Sequence, residues 1–181
     1  MVANHNSHAD GVTLMTSVPV DKLAITYPVA AEDYFGKSKL SAFLSWFLIN
    51  LLLIPRKRDD KNPKRDPIFI LDSYLKNGKS LIFFPEGSRG KAGKIQVFKK
   101  GLGHLMKENM NIPIIPVYLE GIGRVLPKGN KIMLPGITKI YFGNPIFLEN
   151  ESVEEIVEKA ENAVHDLKNR CDNNNSSNLR E

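Results

Sequence analysis

The run Ser80-Leu81-Ile82-Phe83-Phe84 constrains the fold more than any other stretch of this chain. It is compact, apolar and too short for a helix, so it reads as a buried strand. Helical segments stand on both sides of it. Pro67 to Lys76 has Pro67 at its first turn and Asn77-Gly78 at its exit, the residues that start and stop helices. Lys99 to Glu108 sets Leu102, Leu105 and Met106 on one helical face. A helix–strand–helix succession calls for a sheet covered by helices, the α/β class.

Further strands follow the same logic. Residues 1–3 read as the last piece of one. From Asp21 to Ala30, Leu23, Ile25, Tyr27 and Val29 alternate with Lys22, Ala24, Thr26 and Pro28. That period predicts a short strand, with Pro28 at a sheet edge because proline cannot donate to a ladder. Ile112 to Leu119 forms another, and Lys131 to Phe142 two short ones around Pro135-Gly136. The expected architecture is a mixed, mostly parallel central sheet flanked by helices.

The length of 181 residues fits one domain. Its last helix has Val153, Ile156, Val157, Ala160, Val164 and Leu167 at helical spacing, behind a Ser152/Glu155 capping box. The domain is expected to span residues 1–170, with 171–181, rich in Asn and Ser, as a disordered polar tail. Residues 37–52 read as a helix, apolar nearly all round, that Pro55 stops unless a short extended piece begins there. The uncharged run Leu40 to Ile54 has fifteen residues. Spanning a bilayer takes about 20, so the run is a buried helix or one lying in a membrane interface. Arg56 to Arg65 is a charged loop. Cys171 is the sole cysteine, which excludes an internal disulfide. The start Met1-Val2-Ala3-Asn4 has neither the basic nor the apolar region of a secretory signal.

The net charge of +5 favours anionic partners, whether phosphate-bearing substrates or an acidic membrane surface. Nucleic acid is not expected as a partner. No zinc spacing, helix-turn-helix signature or RNA-recognition aromatic motif occurs, and the lysines and arginines are spread along the chain.

Two polar constellations carry possible chemistry. In His5-Asn6-Ser7-His8-Ala9-Asp10, a strand-to-helix turn can bring His5 and Asp10 together. Histidine is the side chain best suited to remove a proton from an alcohol near neutral pH. A carboxylate on its other ring nitrogen fixes the tautomer and stabilises the charged ring. A capped turn would use the same residues, and His8 is a rival base. In Phe84-Pro85-Glu86-Gly87-Ser88-Arg89, Glu86, Ser88 and Arg89 sit at the C-terminal edge of a buried strand, where α/β proteins bind ligands. Gly87 lets a backbone come close. Arg89 offers a fork for phosphate. Glu86 could hold an arginine or accept from a hydroxyl. A plain polar turn after a strand is the alternative.

Taken together, Asn4-His5-Asn6-Ser7-His8-Ala9-Asp10 and Phe84 to Arg89 resemble the NHxxxxD and FPEG(T/S)R blocks of the 1-acylglycerol-3-phosphate acyltransferase family. Ile54-Pro55-Arg56 resembles the family's second block, and Ile114-Ile115-Pro116-Val117 its fourth. The resemblance covers residues 4–145 in order, and it implies a glycerol-3-phosphate acyltransferase-like fold. It implies that His5 is the base and Asp10 its orienting partner. Arg56, Glu86, Gly87, Ser88 and Arg89 would hold the glycerol phosphate, with Arg58 a rival for Arg56. Pro116 would shape the wall by the acyl donor. The implied reaction moves an acyl group from acyl-CoA or acyl carrier protein to lysophosphatidic acid. No metal and no other cofactor is implied. The implied location is peripheral, on the cytoplasmic face of a membrane. Another lysophospholipid acceptor, or a lipid-binding remnant without turnover, remains an alternative. Two features depart from the family: Gly90 stands where a small hydroxyl residue is frequent, and no membrane-embedding segment precedes the first block. The abrupt start leaves open a truncated N-terminus.

Overall fold

The computed structural model describes residues 1–35, 50–57, 62–125 and 134–177. In chain order the elements are β1 (Val2–Ala3), α1 (Asp10–Met15), α2 (Val20–Leu23), β2 (Thr26–Ala31), α3 (Glu32–Phe35), β3 (Leu52–Ile54), α4 (Pro67–Lys76), β4 (Ser80–Ile82), α5 (Gly101–Lys107), β5 (Pro116–Glu120), α6 (Ile122–Val125), β6 (Lys139–Phe142) and α7 (Val153–Ser177). They group into two compact units. One is Met1–Asp10 with Phe84 onward, and the other is Gly11–Phe83.

In the first unit the sheet order is β1-β5-β6. Strand β1 runs parallel to β5, with Val2 opposite Pro116 and Ala3 opposite Val117, and β6 runs antiparallel to β5. Helix α7 lays a continuous apolar stripe on this sheet and on α5. Ile156, Ala160, Val164, Leu167 and Cys171 of that stripe are buried, at the i, i+3, i+4 spacing of one helical face. Each large aliphatic side chain so buried contributes about 2 kcal/mol. Helices α5 and α7 meet where Gly103 faces Val153: a Cβ on Gly103 would stand 2.3 Å from the Val153 carbonyl oxygen.

The same stripe corrects the expected start of a tail at residue 171. The 3–4 spacing continues from Leu167 to Cys171, which is fully buried, and α7 runs on to Ser177. Burial of the apolar face overrides the weak helix propensity of the asparagines.

In the second unit the sheet order is β3-β2-β4 and both pairings are parallel. Three of the four strand pairings among the described residues are therefore parallel, as a mixed, mostly parallel α/β arrangement requires. The stretch read as a strand from Asp21 divides instead: Val20–Leu23 is helical and the strand begins at Thr26. Apolar alternation over so few residues does not separate a helical turn from a strand. Pro28 lies in the central strand rather than at an edge. Its neighbours are staggered, however. Strand β4 pairs with Thr26–Pro28 and β3 with Val29–Ala31, so Pro28 stands where one ladder hands over to the other. Helix α4 matches its expected bounds. Asp66 caps it by accepting from the Ile68 N–H at 2.8 Å, and Gly78 closes it at φ +71°.

Leu52, expected at the end of a helix, lies in strand β3, Asn50 at φ +51° and Leu51 before it are not helical, and the rest of that helix, residues 37–49, falls outside those described. So do Arg58 and the first part of the predicted pair of strands from Lys131. Of that pair, β6 is the strand observed. Among the described residues no helix is long and apolar enough to cross a membrane.

Candidate active site

Strand β1 ends at Ala3, but its ladder with β5 is extended by a side chain. The Asn4 Oδ1 accepts from the Leu119 N–H at 2.7 Å, and its Nδ2 donates to the Leu119 carbonyl at 3.1 Å. This buried amide imitates one further residue of strand and fixes the direction in which His5 leaves the sheet. The His5 backbone is then held at both ends. Its N–H donates to Glu86 Oε1 at 2.9 Å, and its carbonyl accepts from the Gly90 N–H at 2.8 Å.

The imidazole is fixed in turn. Its ring stacks on Phe84 with centroids 4.4 Å apart and planes 21° apart. Its Nδ1 lies 2.8 Å from Asp10 Oδ2. That oxygen also accepts from the N–H groups of Asn6 at 2.7 Å and Ser7 at 2.9 Å. Asp10 is fully buried at the first turn of α1, and its Oδ1 has no hydrogen-bond partner among the described residues. The acceptor at Nδ1 assigns the proton to that nitrogen and leaves the Nε2 lone pair as a base. The His5 side chain is 22% exposed, so a substrate hydroxyl can reach it.

The second constellation packs around the first. The Gly87 N–H closes a turn onto the Phe84 carbonyl, and the Lys99 N–H donates to the Pro85 carbonyl. Gly87 adopts φ +68°, and a Cβ there would come 2.8 Å from Lys99 Nζ. The left-handed backbone favours glycine here, and a side chain would also have to push the lysine end aside. Asn6 ties down the outer part of the loop by donating to the carbonyls of Lys91 and Lys94 at 2.8 and 2.9 Å. Arg89 Nη1 is hydrogen-bonded to His8 Nε2. Partial burial, then the charges of Arg89 and His5, hold the His8 pKa below its usual value against the opposing pull of Asp10. His5, not His8, is thus the histidine paired with the carboxylate.

Glu86 departs from its expected role. It is buried, with one oxygen taken by His5 and the other accepting from Gln96 Nε2 at 2.9 Å. Burial pushes its carboxyl up to about 7 although its hydrogen bonds with the His5 backbone and with the side chain and backbone of Gln96 favour the charged form. It supports His5 and is not presented to an acceptor. Gly87 and Ser88 are exposed in the loop, and Arg89 is half-buried beside them. Arg56 belongs to the other unit, where its exposed guanidinium pairs with Asp33 at 2.7 Å. Pro116 is buried at the head of β5, opposite Val2, and its carbonyl accepts from the Gly143 N–H at 2.9 Å. That position makes it part of the ladder and core.

Sequence reasoning gave no role to Asn4, Asn6, Phe84 or Gln96. The first three lie inside the matched blocks, while Gln96 carries no sequence signal. Among the described residues no cluster of three potential metal ligands occurs. The arrangement is a carboxylate-paired histidine held at both ends of its backbone beside a loop that carries Arg89, Lys91 and Lys94, chemistry suited to moving a proton.

A family model described as Acyltransferase matches residues 1–120. The chain is 28% identical over 151 residues to the chloroplastic 1-acyl-sn-glycerol-3-phosphate acyltransferase BAT2 of Brassica napus, covering 81% of this chain and 40% of that protein. It is also 28% identical over 150 residues to the chloroplastic counterpart LPAT1 of Arabidopsis thaliana, covering 80% and 38%. It thus spans about two fifths of the length of these relatives. Among solved structures, the 1-acyl-sn-glycerophosphate (LPA) acyltransferase PlsC of Thermotoga maritima superposes with a TM-score of 0.66 at 24% identity. The match covers 93% of this chain and 64% of that one, and it shows a shared fold.

Proposed function

The chain belongs to the acyltransferase family, and from that premise we propose that it acylates the sn-2 hydroxyl of lysophosphatidic acid to give phosphatidic acid. The observation that carries this reading is the 2.8 Å contact of His5 Nδ1 with buried Asp10, on a histidine whose backbone is clamped at both ends. The Nε2 takes the proton of the acceptor hydroxyl as its oxygen attacks the thioester carbonyl carbon of acyl-CoA or acyl carrier protein. The C–O bond forms, the C–S bond breaks, and the leaving thiolate takes the proton back from the imidazolium. Asp10 stabilises that imidazolium while it exists. Arg89 supplies a fork for the acceptor phosphate. The relatives' names, which specify a 1-acyl-sn-glycerol-3-phosphate acceptor, support this choice. The net charge of +5 supports work at an anionic membrane surface, where such acceptors reside. We place the chain there peripherally, on the cytoplasmic side.

The test offers the purified protein in detergent either labelled donor, with lysophosphatidic acid or zwitterionic lysophospholipids as acceptor. Phosphatidic acid is the expected product. His5→Ala should lower the rate by roughly 10³-fold or more, in the range seen when a catalytic base is removed, with an unchanged circular dichroism spectrum. Undiminished turnover by His5→Ala would overturn the assignment.

A further inference from the structure

We propose that Gln96 is a positioning residue of this site: seated against the bare face of Gly90, it holds Glu86 as the acceptor for the His5 backbone N–H and thereby sets the aim of the imidazole. This rests on the acyl-transfer reading for its kinetic consequence but not for its structural one. Gln96 Nε2 donates to Glu86 Oε2 and to the Ser88 carbonyl, both at 2.9 Å. The Ser88 carbonyl can only accept, so the nitrogen of the amide, not its oxygen, must face it. The other Glu86 oxygen receives the His5 N–H at 2.9 Å. An unbroken chain of hydrogen bonds therefore runs from the loop carbonyl of Ser88 through Gln96 and Glu86 to the base.

Gly90 makes room for this chain. A Cβ there would stand 2.9 Å from Gln96 Nε2 and 3.2 Å from its Cδ and Cγ. The Gly90 N–H meanwhile donates to the His5 carbonyl at 2.8 Å. The glycine thus grips one end of the histidine backbone while its empty face seats the residue that controls the other end. A side chain at 90 would displace the glutamine.

The chain works only while Glu86 is charged, since a protonated carboxyl would have to present an O–H to one of two donors. The other charged groups near it are Asp10, which opposes its ionisation, His5, Lys99 over Gly87, and Arg89 with His8. Gln96 is the side-chain donor that favours the carboxylate. Its loss should therefore raise the pH needed to ionise Glu86.

Gln96→Met, similar in volume but without the amide, tests this, and Gly90→Ser displaces the glutamine by an independent route. The Glu86 carboxyl is followed by carbon-13 NMR in the full chain, alongside the pH dependence of kcat. Both variants should move the Glu86 titration upward. They should move the acid limb of kcat with it, losing about tenfold at pH 6.5 and recovering to within about threefold by pH 8.5. KM for the acceptor should stay unchanged, and the double variant should be no worse than either single one. A Glu86 titration that is the same with and without Gln96 would overturn the proposal, as would a loss equal at every pH. If the wild type transfers no acyl group, the functional reading fails, and the titration alone still decides for or against Gln96.

Discussion

Three donors converge on one oxygen, Asp10 Oδ2: a ring nitrogen and two backbone N–H groups of the turn between them. The turn that brings the histidine and aspartate together is thus closed by the same carboxylate that orients the ring. Glu86 is the second buried carboxylate of the site, and its position has a thermodynamic consequence. Its folded-state carboxyl sits near 7, against an ordinary value of 4.5. Between those two values the native protein keeps a proton that the unfolded chain has lost, so stability falls as pH rises through this window. The contribution is fully present below about 4.5 and gone above about 7. Replacing Glu86 with Gln removes this dependence. The difference in unfolding free energy between wild type and Glu86→Gln should change by up to roughly 3 kcal/mol from pH 4.5 to pH 8, at about 1.4 kcal/mol per unit. Urea unfolding at a series of pH values measures it, and parallel curves would count against a buried, titrating Glu86.

Helix α7 is the element on which the first unit's core depends, and it is fixed at its start by local chemistry. Ser152 and Glu155 form the capping box read from the sequence. The Ser152 N–H donates to Glu155 Oε2 at 2.7 Å, and the Glu155 N–H donates to Ser152 Oγ at 3.3 Å. The Ser152 N–H, and after it the Ser152 hydroxyl, hold the Glu155 carboxyl below its usual range. The exposed cap and the tight helix crossing should respond differently to substitution. Ser152→Ala should lower stability by about 1 kcal/mol, the ordinary effect of losing a cap. Gly103→Ala should do more, about 1–3 kcal/mol, because the added methyl is driven into the Val153 backbone, which cannot rotate away. Denaturant titration ranks the two. A neutral Gly103→Ala would contradict the close packing of α5 on α7.

On the scale of the whole molecule, α7 also covers the far side of the β5–β6 pairing. Cys171 is buried there and hydrogen-bonded to Tyr141, whose hydroxyl also donates to Glu120 Oε2 at 3.3 Å. A chain ending at Arg170 should therefore melt at a lower temperature than the full chain, and an unchanged melting temperature would show the last turns to be dispensable. Much of this organisation follows from the sequence alone. The strand at 80, the helix from Pro67 to Lys76, the capping box and the pairing of His5 with Asp10 are all short-range. Their signals are periodicity, caps and turn chemistry, which act over a few residues and need nothing distant. Glu86 looked like a substrate ligand because a carboxylate after a strand has that appearance until its burial is known. Pro116 gave no sign of its place at the head of the β5 ladder opposite Val2. Gln96 gave no sign, because a lone glutamine becomes a positioning residue only when Gly90 lies beneath it and Glu86 beside it. The sequence determined which groups could do acid–base chemistry. Tertiary structure decided which of them stay open to solvent and which are buried in hydrogen bonds around His5, because burial and hydrogen-bond satisfaction are set by chain segments some eighty residues apart.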